Sequence, residues 1–114
     1  MPLDDIDSRE IFLVTVPVDM RKGYLKLAAY AKAYLGLDVA TERNYILFIN
    51  KRAQSLKLIG KRGQLNINLS LGLDHGSFQR IVQRVNEAAY LKLTTAEFLA
   101  YIKGYQIMTK RVHP

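Results

Sequence analysis

Apolar and polar residues alternate through the middle of the chain in the manner of a β-sheet. Residues 64–71, QLNINLSL, place leucine and isoleucine on one parity and asparagine and serine on the other. Residues 55–60 alternate in the same way, and residues 45–50, YILFIN, are mostly β-branched or aromatic. The connectors between these runs are short enough for hairpins. The pattern therefore predicts an antiparallel meander of three strands.

A further strand and a helix are predicted before the meander. Residues 11–16, IFLVTV, are apolar almost throughout, which predicts a strand buried on both faces, and Pro17 ends it because proline cannot donate to a ladder. Apolar residues then recur at helical spacing as far as Leu35. Gly36 is suited to the left-handed conformation that ends a helix, and Asp19 stands where a helix N-cap belongs.

Two more elements are predicted in the last third of the chain. Over residues 77–89 the apolar spacing favours a helix with Ser77 as a possible N-cap, although FQRIVQRV also fits a strand and this alternative stays open. Thr94 precedes Glu97 by three residues, which predicts a capping box and a helix N-cap at Thr94. Gly104 can end that helix.

These elements predict a small single domain of the α+β class, with a mainly antiparallel sheet and two or three helices. A chain of 114 residues fits one domain and leaves no room for two. The domain is expected over residues 11–105. An acidic, polar lead-in over residues 1–10 precedes it, and a basic tail over residues 106–114 follows it.

Composition excludes several classes of function. The chain has no cysteine, which excludes disulfides, thiol catalysis and a cysteine-type zinc site. No apolar run is long enough to span a membrane, and the acidic start is unlike a signal peptide, so we expect a cytoplasmic protein. The carboxylates share no catalytic motif, and His75 and His113 lack metal-ligand spacing. We therefore expect neither an enzyme nor a cofactor.

The distribution of charge points to an acidic partner. The net charge is +7, but residues 1–10 contribute −3, which leaves +10 for the rest of the chain. From Arg43 to Leu73 there are six bases and no acid. An excess of this kind attracts polyanions. It predicts contact with nucleic acid or with an acidic protein surface, and the alternative is a solvated basic surface without a partner.

The start of the first helix is the leading candidate site. Arg21 and Lys22 oppose the dipole of the predicted helix, and Gly23 weakens its first turn. Residues that weaken their own element are candidates for function, and free amides beside two bases could receive a phosphate. A helix start that merely tolerates these residues is the alternative.

The other candidate contacts lie in the meander, at its hairpin connectors and on its middle strand. They are Lys51, Arg52, Lys57, Lys61 and Arg62. Because a meander reverses direction at each connector, the two basic connectors should lie at opposite ends of the middle strand. They would then form no compact patch, although a stripe through Lys57 remains possible.

The order of these segments resembles a known family. Residues 18–23, VDMRKG, are followed by LGLD, FINKRAQSLKL, LDHGSF and LTTAEFLAYIKG, and this series is similar to the accessory protein TnpB of the IS-66 family of insertion sequences. The similarity covers about residues 11–104. The chain departs from the family pattern in lacking tryptophan, notably in the turn at residues 59–63.

The resemblance implies a protein that is encoded with a transposase and is needed for efficient transposition, with no established chemistry of its own. It implies nucleic acid, DNA foremost, or a transposase subunit as the partner. Neither the resemblance nor the pattern predicts an oligomeric state.

Overall fold

A five-stranded sheet organises the part of the chain that the computed structural model describes, residues 9–81 and 88–107. The strands are β1 (Glu10–Val14), β2 (Asn44–Ile49), β3 (Ser55–Arg62), β4 (Leu65–Gly72) and β5 (Tyr90–Leu93). The helices are α1 (Tyr24–Tyr30), which continues as a π-helical segment (Ala31–Leu35), a short 3-10 turn (Val39–Thr41) and α2 (Thr95–Ile102). The strand order across the sheet is β4-β3-β2-β1-β5.

The predicted meander and the predicted α+β class are confirmed. β2, β3 and β4 pair antiparallel in sequence order. β1 and β2 are parallel, with Ile11 opposite Tyr45, and the helical crossover through α1 joins them. β5 pairs antiparallel with β1 and was not predicted as a strand. The sheet is therefore mainly antiparallel.

The two faces of the sheet carry separate hydrophobic clusters. On one face, called here the α2 face, Leu13 and Leu47 pack with Phe98 of α2. On the opposite face, the α1 face, Phe12 and Phe48 pack with helix α1. Because both faces of β1 and β2 are covered, residues 11–14 and 45–49 are all buried. This arrangement is the physical reason for their nearly continuous apolar runs.

The prediction that Asp19 caps the first helix is wrong. α1 begins at Tyr24, and its N-cap position is Gly23, without a side-chain cap. The Asp19 carboxylate accepts a hydrogen bond from the backbone N–H of Arg21 at 2.9 Å, and the N–H of Lys22 donates to the Asp19 carbonyl at 3.1 Å. A short acidic side chain that bonds the backbone two residues ahead favours a turn over a helix.

The predicted end of the first helix and the predicted start of the last are confirmed. Gly36 has a positive φ of 68° and ends the π-helical segment. At α2, Thr94 and Glu97 form both hydrogen bonds of a capping box. One boundary differs, because β3 extends through Arg62. Lys61 and Arg62 thus belong to the strand, and only residues 63 and 64 form the turn.

The predicted helix over residues 77–89 is wrong for the described residues 77–81 and 88–89, which have no regular secondary structure and so do not form the alternative strand either. Residues 82–87 lie outside the described residues. The backbone N–H of Phe78 donates to the Ala53 carbonyl at 2.6 Å, and the buried Phe78 ring stacks on Tyr101 at 5.7 Å. The side-chain amide of Gln79 exchanges two hydrogen bonds with the backbone of Ile107. These contacts fix an irregular segment whose apolar spacing resembles that of a helix.

Candidate nucleic-acid interface

The turn before α1 holds an ion pair between Asp19 and Arg21. The Arg21 Nη2 lies 2.8 Å from Oδ2 of Asp19, and its Nε lies 3.1 Å from each carboxylate oxygen. The Arg21 side chain is 92% exposed. Hydrogen bonds from its guanidinium, and then from its backbone N–H, lower the pKa of Asp19 to about 2. The charge of Arg21 is therefore offset by its neighbour.

Lys57 holds the same turn against the sheet. Its ammonium nitrogen lies 2.7 Å from the carbonyl oxygen of Met20 and 2.9 Å from that of Lys22. Two of the three ammonium donors are thus bonded to backbone oxygens. Lys57 consequently links β3 to the segment before α1 and has little capacity left for an external anion. The predicted stripe through Lys57 would have to accommodate this structural role.

Lys22 lies beside the first turn of α1. Its ammonium nitrogen stands 5.8 Å from the centre of the Tyr30 ring, near the outer limit of a cation–π contact. No carboxylate in the described residues forms an ion pair with it. Of the two bases predicted at the start of α1, Lys22 is thus the one whose charge stays available.

One group of bases lies at the end of the sheet where β2 turns into β3. Lys51 and Arg52 are exposed in this turn. Lys51 and Arg80 line one cavity of about 160 Å³ at the carboxyl ends of β1 and β2. Within the described residues these three bases, called here the β2–β3 basic cluster, form no ion pair with a carboxylate. Arg80 was not predicted.

A second group of bases lies at the opposite end of the sheet. The Arg9 Nη1 donates to the carbonyl oxygen of Lys61 at 2.7 Å, and the guanidinium carbon stands 4.8 Å from the centre of the Tyr45 ring. Arg9 starts beside β1 and therefore reaches across β2 to β3. Together with three other bases at this end of the sheet, Arg9 forms what we call the β3–β4 basic cluster. Its members are Arg9, Arg43, Lys61 and Arg62.

Strand register aligns three of these arginines. Glu10 pairs with Asn44, so Arg9 and Arg43 stand one residue before a paired position on β1 and β2. The β2–β3 register pairs Ile46 with Ile59, and its extension by three residues sets Arg43 opposite Arg62. The Glu42 carboxylate accepts a hydrogen bond from the Gly63 N–H, which shows that these two segments lie side by side beyond the paired residues. The arginines thus form a row across three adjacent strands.

A close contact between Gly60 and Tyr45 positions the ring that Arg9 contacts. A Cβ atom at Gly60 would lie 2.7 Å from Cδ1 of Tyr45, so only glycine leaves room for the ring at this place. The Tyr45 ring is fully buried, and the Arg9 guanidinium lies over it. The sequence reasoning missed Arg9 and Arg43. Arg43 could have been found from the predicted hairpin at residues 51–54, because antiparallel pairing about that turn brings residue 43 opposite residue 62.

The two basic clusters do not meet. β3 has eight residues, so its ends lie roughly 25 Å apart. This separation is the arrangement predicted for the two connectors. Within the described residues no three histidine or acidic side chains lie together as metal ligands, and no helix is long and apolar enough to cross a membrane.

These features define a small α+β domain with one group of basic residues at each end of its sheet. The family model of IS66 Orf2-like proteins, TnpB of IS66, matches residues 9–112. The chain belongs to this family, which confirms the resemblance found in the sequence and implies an accessory role in transposition. No curated protein and no solved structure matches the chain.

Proposed function

We propose that this chain is a non-catalytic accessory protein of an insertion sequence that binds DNA through the β3–β4 basic cluster and thereby assists the transposase. The observation that carries the proposal is the row of Arg9, Arg43 and Arg62 at one end of three adjacent strands, with the backbone carbonyl of Lys61 bonded to Arg9. Neighbouring strands lie about 4.8 Å apart, so three guanidinium groups share a short front. Such a concentration of charge attracts a phosphate backbone.

The chemistry of the cluster suits phosphate contact. Guanidinium groups present paired donors that match phosphate oxygens. Arg9 is held by the Lys61 carbonyl and the Tyr45 ring, which lowers the entropy lost when it meets a ligand. Contacts of this kind position a protein on DNA without reading its sequence. We therefore expect binding with little sequence preference from this surface alone.

The test is a fluorescence anisotropy titration with duplex, single-stranded and transposon-end DNA at several salt concentrations. Arg43→Gln combined with Lys61→Gln removes two cations from the β3–β4 basic cluster. The matched control, Lys51→Gln combined with Arg52→Gln, removes two cations from the β2–β3 basic cluster. If both targeted residues contact phosphates, the first variant should weaken binding and reduce the slope of log K against log salt by about 2. The control should bind nearly as the parent protein does.

Two results would contradict the proposal. Absence of binding at low salt would reject DNA as the partner. Equal losses in the two double variants would mean that overall charge, and not the β3–β4 basic cluster, determines binding.

A second candidate function is docking on a transposase subunit through α1 and the turn before it. Leu25 and Tyr34 are 77% and 78% exposed on this helical segment and offer apolar surface to a partner. Arg21 and Lys22 stand beside its start, and Lys22, whose charge is not offset by a carboxylate among the described residues, would meet an acidic residue of a partner. Co-purification with the transposase after nuclease treatment, lost in the Arg21→Ala, Lys22→Ala double variant, would favour this function over DNA binding.

A further inference from the structure

Strand β4 forms one edge of the sheet and leaves one side of its backbone unpaired. It is the outermost strand beside β3, and among the described residues no strand pairs with its other side. Its eight residues, LNINLSLG, make it one of the two longest strands of this sheet. A long open edge is a template for pairing with another chain.

Hydrogen bonding identifies the backbone groups that face outwards. The Leu73 N–H donates to the Gln54 carbonyl at 3.1 Å, and a two-residue turn joins the paired residues Arg62 and Leu65. Odd-numbered residues of β4 therefore exchange hydrogen bonds with β3, because bonded pairs alternate along an antiparallel ladder. The N–H and C=O groups of the even-numbered residues point away from β3, towards the open edge of the sheet. These residues are Asn66, Asn68, Ser70 and Gly72.

This edge lacks the features that usually prevent strand pairing. Between Arg62 and Asp74 there is no charged residue and no proline. The ladder between β3 and β4 runs without a bulge from Ser55 opposite Gly72 to Arg62 opposite Leu65. Leu65 is 68% exposed near one end of the strand. Natural edge strands are commonly protected by lysine, proline or bulges, and β4 has none of these within its length.

We propose that β4 pairs antiparallel with β4 of a second copy of this chain, joining two sheets into one about a two-fold axis at Asn68. In this register Asn68 faces Asn68 of the second copy, and Asn66 faces its Ser70. All of these residues have outward-facing backbone groups, so the two edges can exchange hydrogen bonds throughout. Side chains also match, because Leu65 meets Leu71 of the second copy on the α2 face.

The distribution of charge favours a second copy as the occupant. The protein carries a net charge of +7, so most of its surfaces repel an identical molecule. β4 is an uncharged stretch where two copies can approach. Antiparallel pairing also brings Asp74 of one copy towards the basic β3–β4 end of the other, which is attractive twice because of the symmetry.

The pairing has a consequence for the α1 face. Lys61 lies opposite Asn66, and Lys57 lies opposite Ser70, on β3 and β4 of each copy. The joined sheet would therefore carry continuous polar rows with a lysine at each end, running across four strands. It would also carry two β3–β4 basic clusters related by the two-fold axis. A single copy has neither arrangement.

The test measures the mass of the full chain by sedimentation equilibrium over a range of concentrations. The parent protein should show a concentration-dependent dimer. Asn68→Pro removes only an outward-facing donor, which an edge strand tolerates, and it should raise the dimer dissociation constant about tenfold or more because two hydrogen bonds are lost at the axis. Asn68→Ala keeps the donor and should still dimerise.

A second pair of variants keeps the test informative if proline disturbs β4. Asn68→Lys places two ammonium groups opposite each other at the axis and should also weaken the dimer. Ala96→Lys adds the same charge on α2, which packs near β5 at the other edge, and should not weaken it specifically. Circular dichroism establishes that each variant is folded.

Two results would overturn this inference. One is a monomeric parent protein at about 500 µM, where even a sub-millimolar dimer would be detected. In that case β4 would be available to pair with a strand of a different protein. The other is a dimer that folded Asn68→Pro and Asn68→Lys variants retain unchanged, because such a dimer uses another surface.

Discussion

The ammonium group of Lys57 binds the carbonyl oxygens of Met20 and Lys22 at 2.7 and 2.9 Å. This contact joins the middle of β3 to a turn that lies more than thirty residues earlier in the chain. Residues 15–23 have no regular secondary structure, although the backbone N–H groups of Thr15 and Val18 donate to the carbonyls of Ala89 and Ile49. Lys57 therefore acts as a backbone clamp that positions the residues before α1.

Replacement of Lys57 should destabilise the protein. Lys57→Met keeps the apolar stem but removes both charge-assisted hydrogen bonds, so we expect a loss of about 1–3 kcal/mol in the free energy of unfolding. Lys61→Met is the matched control, because Lys61 lies on the same face of β3 and its side chain makes no hydrogen bond within the described residues. It should stay within about 0.5 kcal/mol of the parent. Chemical denaturation measures both, and equal effects would refute the clamp.

The Asp19–Arg21 ion pair predicts that its contribution to stability is lost at acidic pH, when Asp19 is protonated. The side-chain hydrogen bond from Arg21 is the main reason that the pKa of Asp19 falls from 3.8 to about 2. Because the folded-state pKa is lower than the unfolded one, the pair stabilises the protein above about pH 4. This contribution is lost as the pH falls from about 4 through 2.

Carboxyl chemical shifts followed by NMR as a function of pH measure this pKa directly. Arg21→Gln should move the pKa of Asp19 upward, but only part of the way to 3.8, because the backbone N–H of residue 21 still donates to the carboxylate. An unchanged pKa in the variant would show that the guanidinium is not its cause.

Much of the sheet could be predicted from local pattern. Alternation identified β4. The continuous apolar run of β1 correctly indicated burial on both faces, because Ile11 is buried on the α2 face and Phe12 on the α1 face. β5 escaped prediction because its four residues gain their structure from pairing with β1, far away in the sequence. The irregular segment at Phe78 escaped for a similar reason, since tertiary hydrogen bonds hold it.

The candidate site was only partly predictable. Lys61 and Arg62 stand out as a basic pair, but Arg9 lies within an acidic segment and Arg43 next to Glu42. Only the register across three strands brings the arginines together. The role of Lys57 was not predictable either, because the oxygens that it binds belong to a turn whose position depends on the whole fold.

The close contact between Gly60 and Tyr45 predicts a specific sensitivity. In Gly60→Ala the new methyl group would stand 2.7 Å from the Tyr45 ring, and the fully buried ring has little space to move. We expect a loss of about 1–3 kcal/mol in the free energy of unfolding. Gly23→Ala is the control, because no atom lies within 4 Å of its added Cβ. Thermal or chemical unfolding that ranks the two variants equally would contradict this packing.

The hydrogen bond of the Tyr101 hydroxyl is expected to stabilise the irregular segment at residues 77–81. It donates to the Gln79 carbonyl at 2.7 Å, and burial raises the pKa of Tyr101 well above its usual range. Tyr101→Phe keeps the ring on Phe78 but leaves the Gln79 carbonyl without this donor, so we expect the free energy of unfolding to fall by about 1–2 kcal/mol.

Hydrogen exchange should reveal which part of the protein loses this stability. If the hydroxyl clamps the segment, the Phe78 amide, which donates to Ala53, should exchange faster in the variant, whereas amides of β2 should change only with global stability. Uniform acceleration throughout the sheet would instead mean that Tyr101 supports the whole core and not this segment in particular.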